Sequence, residues 1–122
     1  MSMYATEIRK ALLAATLLVS KAISKEISIR EFKEEYGDFY YYAALDGHEA
    51  DEMEKTVLDK LTIPIQLHEK VQTQIVDITY LGAAQKQEYM DAGRIDEEEA
   101  RKRLTEIGTE FDIVAVIKTL EG

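Results

Sequence analysis

The chain has no cysteine, one proline, six glycines and no apolar run approaching the width of a bilayer. Each scarcity removes a class of protein. Without cysteine there is no disulfide framework and no thiolate metal site, which also excludes the zinc centre of nucleobase deaminases. That usage fits a reducing compartment, and the chain reads as cytoplasmic. The glycines are scattered at positions 37, 47, 82, 93, 108 and 122, so no glycine-rich phosphate loop exists. Sparse turn residues favour a few long helices over many short strands. The apolar stretch ALLAATLLV covers only residues 11–19, whereas a membrane span needs about 20 apolar residues. Glu7 interrupts its basic flank and no small-residue cleavage site follows before Lys21, so it reads as a buried helix face rather than a signal peptide.

What the chain does have is charge, and in one place. It carries 15 basic and 24 acidic side chains, a formal net charge of −9 over 122 residues. Between residues 31 and 54 stand nine acids (Glu31, Glu34, Glu35, Asp38, Asp46, Glu49, Asp51, Glu52 and Glu54) against Lys33 alone. Nearly all of the net charge therefore lies in one fifth of the chain. Such a field repels phosphate and attracts cationic surfaces, so the expected partner is a basic protein and not nucleic acid.

Length and a 46% hydrophobic fraction predict one all-α domain over residues 1–122, a bundle of four to six helices. Ile8, Leu12, Ala15, Val19 and Ala22 recur four and three apart, predicting a helix over residues 6–24. Leu13 and Leu17 fall near its opposite side, which places the helix centrally or at a dimer contact. Ser28 and Glu31 form a capping box, with Ile27 and Phe32 as a hydrophobic staple, for a second helix running to Leu45; Gly47 is suited to end it. A third stretch starts near Glu49. Helical spacing continues through Pro64, either as one kinked helix or, preferably, as two segments with Thr62 capping the second. A short helix ends near Asp91, another starts at the Asp96–Glu99 cap, and residues 111–120 read as a closing helix rather than an unpaired strand.

Chemistry finds little footing. A di-metal bundle needs Glu-x-x-His, but the residues three before His48 and His68 are Leu45 and Ile65. The acids after Gly47 lack the spacing of a calcium loop. No metal, cofactor or catalytic residue is expected. His68 reads as a core-edge histidine bonded to a backbone carbonyl, and His48 as an ion-pairing partner of the carboxylates around it.

On a helical wheel, Phe32, Tyr36, Phe39, Tyr40 and Ala43 gather with Ile29 on one core face. Tyr41 and Leu45 fall on the far side beside Glu34 and Asp38, and Tyr42 lies near Glu35. An outward surface of tyrosine and carboxylate has the composition of a binding site, with rings for contact and acids for steering. The stretch EEYGDFYYYAALDGHEADEME, residues 34–54, on a small acidic cysteine-free helical chain, resembles the bacterial self-protective immunity proteins, particularly the colicin D immunity type. The resemblance implies a non-enzymatic inhibitor that plugs the basic cleft of a tRNA-cleaving toxin. Glu34, Glu35, Asp38 and the acids after Gly47 (Glu49, Asp51 and Glu52) would then mimic phosphates, with the Asp46, His48 and Glu49 turn at the rim. The alternative is a homodimeric structural bundle, self-associating through Leu13 and Leu17 or through Tyr41 and Leu45.

Overall fold

An apolar stripe in the first helix organises the molecule. In the computed structural model, which describes residues 3–122, α1 (Met3–Ile23) buries Ile8, Leu12, Ala15, Val19 and Ala22, as their spacing predicts. Thr16 is buried on the same face. The helix starts three residues earlier than its periodicity suggests and packs against five others. Its central position matches the expectation, yet Leu17 on the reverse side remains exposed while Leu13 is half-buried.

Side-chain caps start several of the helices beyond α1. Ser28 Oγ accepts the Glu31 amide at 3.0 Å and Glu31 Oε1 accepts the Ser28 amide at 3.4 Å, opening α2 (Ile29–Tyr36). The predicted second helix does not reach Leu45. It breaks at Gly37, and a single turn, α3 (Phe39–Tyr42), follows. Asp51 and Glu54 form a second capping box, which opens α4 (Glu52–Asp59). Replacing Asp51 with alanine orphans the Glu54 amide, now bonded at 2.8 Å. The expected cost is about 1 kcal/mol in urea unfolding; no measurable loss would show that the cap is not formed.

Two helices, not one kinked helix, flank Pro64. α5 (Thr62–Val71) carries the proline in its first turn, where a missing N–H costs nothing. Thr62 is not its cap, because its hydroxyl instead donates to the Asp59 carbonyl at 2.8 Å. The helix widens into a π turn over Gln72–Val76. A loop carrying α6 (Lys86–Asp91) leads to α7 (Glu97–Glu110), whose Asp96 cap accepts the Glu99 amide at 2.8 Å. The closing segment is helical, α8 (Ile113–Glu121). No strand occurs among the described residues. There is one isolated backbone pair, in which the Tyr80 amide donates to the Ile95 carbonyl at 2.8 Å and the Ile95 amide to the Ile78 carbonyl at 2.9 Å.

The fold is all-α. Seven helices exceed one turn among the described residues, more than the four to six expected; the third stretch is divided into α4 and α5, and the division of the second adds only the single turn α3. One buried cluster joins α1 to Phe32, Leu67, Ile75, Leu104, Val116 and Leu120. Burial of each such large side chain stabilises the fold by roughly 1.5–3 kcal/mol.

Candidate acidic docking surface

Gly37 decides which way the aromatic run faces. Its φ of 55° and ψ of −135° lie in a region closed to side-chain-bearing residues, and the turn resets the helical phase. Upstream of it, Tyr36 is buried; downstream, Phe39 is half-buried and Tyr40 buried. Tyr41 is 50% exposed and Tyr42 95% exposed, in agreement with the outward placement of those two rings. Leu45 corrects the wheel. It is only 3% exposed and belongs to the core, because Ala44 takes a left-handed conformation and the Leu45 amide turns back to the Tyr40 carbonyl at 3.3 Å. Leu45 is thus no part of the face that carries Tyr41 and Tyr42, or of a self-contact through Tyr41.

Tyr41 is held in place. Its hydroxyl donates to Asp77 Oδ2 at 2.6 Å, and this bond, with lesser contributions from desolvation and from the charges of Asp77 and Asp38, pushes the phenol up to about 12. Asp77 is fixed in turn by the buried Gln72 amide, which donates to Oδ1 at 2.9 Å. Gln72 Nε2 also reaches Asp38 at 3.4 Å, and its Oε1 accepts the Tyr40 amide at 3.3 Å. The π turn therefore supplies the side chain that braces both rings. Tyr40 and Tyr41 stand edge to face at 5.7 Å, a favourable aromatic geometry.

Asp77 and Glu69 are invisible to a reading confined to residues 31–54. Asp46 and Glu69 both act on the Tyr40 phenol, and Asp38 and Asp77 on Tyr41, so α5 and the π turn extend the acidic surface. No linear signal marks them. The fold also brings cations. Lys33, whose ammonium donates to the Thr79 carbonyl at 2.7 Å, feels Asp38 and Asp77; burial and then Arg94 hold its pKa below the usual lysine value.

The remaining acids divide by what they already do. Asp46 accepts both the backbone amide and Nδ1–H of His48, while His48 Nε2 lies 3.5 Å from Glu49. The bond to Asp46 raises the imidazole pKa and lowers that of Asp46, so the ion-pairing reading of His48 matches the geometry. Asp51 is occupied as a cap. Glu34, Glu35 and Glu52 are exposed, with no side-chain partner among the described residues.

His68 lies apart from this surface, fully buried in the core. The expected backbone carbonyl, that of Leu12, acts on the ring, but two side chains hold its nitrogens. Tyr36 Oη lies 2.8 Å from Nδ1 and Thr16 Oγ1 lies 2.9 Å from Nε2, while the Thr16 hydroxyl donates to the Leu12 carbonyl at 2.6 Å. Since that hydroxyl has one proton, already committed to Leu12, it accepts from Nε2–H, and Nδ1 accepts from Tyr36. Among the described residues no group of three or more histidine and carboxylate side chains is placed to hold a metal ion, and no helix is long and apolar enough to cross a membrane. No family model, curated protein or solved structure matches the chain.

Proposed function

We propose that the protein acts by binding rather than by catalysis, docking a basic protein through the surface that carries Tyr41 and Tyr42. One observation carries the reading: Tyr42 is 95% exposed inside the segment that holds nearly all of the net negative charge. An exposed aromatic ring within an acidic segment is well suited to a cationic neighbour, through ring contact and cation–π attraction. Glu34, Glu35 and Glu52 are uncommitted and supply steering charge. By its resemblance to colicin D immunity proteins, the partner would be a nuclease toxin whose basic cleft expects phosphates.

Basic bacterial nuclease domains serve as the test panel, with capture measured at several salt concentrations. Asp51 is a cap and Asp38 sits beside Lys33, so neither is a clean probe of charge. The triple variant Glu34→Lys, Glu35→Lys, Glu52→Lys reverses charge without removing a described contact. Capture is expected to weaken at least tenfold, mostly through the association rate. Unchanged capture would refute the electrostatic basis. A homodimer retains one supporting observation, the exposed Leu17 on α1; sedimentation of the wild type against Leu17→Lys separates that reading, which requires the variant alone to be monomeric.

A further inference from the structure

Beside the tyrosine surface, a groove of about 340 Å³ opens between the turn after α3 and helices α4 and α5. Leu45, Leu58 and Ile65 give it an apolar floor, Asp46 and Asp59 supply carboxylates, and Thr62 and Gln66 add neutral polar groups. Gly47, at φ +81°, forms part of the wall, and a Cβ there would come within 3.7 Å of Leu58 Cδ1. An apolar floor under an acidic rim matches one kind of side chain, with a hydrocarbon stem and a cationic head. We infer that the groove is the anchor pocket for an arginine side chain of a basic partner.

Charge and shape both select that occupant. Residues 46–59 hold six carboxylates against Lys55 and, when protonated, His48. The Asp59 carboxylate has no partner among the described residues, whereas Asp46 is oriented by His48. A guanidinium is planar, weakly hydrated and carries five donors, so it can bond Asp46 and Asp59 together while its stem lies on Leu45 and Leu58. A lysine ammonium is more strongly hydrated and offers no planar fork. Lys55 stands on the same wall, and its charge has to swing outward as the arginine enters.

The inference rests on the docking function proposed above, and the test distinguishes failure of one from failure of the other. Full-length protein labelled at its methyl groups and at its tyrosine rings is titrated with an arginine tripeptide and, separately, with its citrulline analogue, which keeps the shape and loses the charge. The expected result is shifts at the Leu45, Leu58 and Ile65 methyls with the arginine peptide and none with citrulline. Asp59→Asn should weaken that binding about fivefold, as for loss of one charge-assisted hydrogen bond at a partly exposed rim. The citrulline arm needs no substitution and stands if the variant fails to fold. Shifts confined to Tyr41 and Tyr42 would overturn the groove and leave the docking surface intact. Equal shifts with citrulline would overturn the charge selection, and no shift anywhere at millimolar peptide would overturn groove and surface together.

Discussion

Between pH 6.5 and about pH 4.5 the protein is expected to lose stability at about 1.4 kcal/mol per pH unit through a single side chain, His68. Burial moves its imidazole from the ordinary 6.5 down to about 3. In that interval the unfolded chain binds a proton that the folded chain refuses, so acid favours unfolding. The contribution is complete above pH 6.5 and is lost progressively as pH falls through the window toward 3. Summed over the window it is on the order of 4 kcal/mol, a large share of the roughly 5–15 kcal/mol that holds a domain folded. The ring cannot simply accept the proton in place. Nε2–H already faces Thr16, and Nδ1 is the acceptor for Tyr36, so protonation would set two donors against each other in a site without water access. Urea midpoints measured in steps of pH test this. His68→Gln, which keeps one amide donor and one acceptor, should be less stable at pH 7 but lose the slope above about pH 4.5. Equal slopes in the two proteins would refute the assignment to His68.

Gly37→Ala is expected to cost about 2 kcal/mol although nothing crowds the position. A Cβ there meets no atom within 4 Å, so a packing argument predicts no effect at all. The cost lies in the backbone, where φ +55° with ψ −135° is accessible to glycine alone among common residues. Alanine also favours helix by about 1 kcal/mol over glycine, which biases the chain towards running α2 straight into α3. A continuous helix would put Leu45 back on the acidic side and turn Tyr41 away from Asp77. Two readouts are therefore expected to move together: thermal stability falls, and the phenol of Tyr41, held up to about 12 by Asp77 in the wild type, titrates lower. Loss of stability with an unaltered Tyr41 titration would mean that strain is relieved without re-aiming the rings.

Legibility in the sequence tracks how local the cause is. The α1 stripe, the Ser28 capping box and the closing helix are readable because each depends on residues within a turn or two of one another. The outward rings Tyr41 and Tyr42 are placed correctly, although by a wheel that has no physical basis past Gly37. Their exposure agrees with the wheel although the phase is reset at Gly37, whereas Leu45 is buried in spite of it. Glycine before aspartate is a turn signal, but the aromatic run after it continues the apolar pattern and masks the interruption. The partners of Tyr41 and His68 are not legible at all. Asp77, Gln72 and Thr16 come from other helices, and nothing in their local spacing announces the meeting.

The pairing of Thr79 with Ile95 has an evolutionary consequence. It ties off the base of the intervening loop with two backbone bonds, and α6 within that loop buries no residue. Of the apolar side chains between the two, Leu81 packs against the core, next to the tie. Lengthening a tied loop is thermodynamically mild, about 0.6 kcal/mol per doubling, so this excursion is free to diversify between lineages while the body of the bundle stays the same. The molecule carries a built-in place to acquire new sequence.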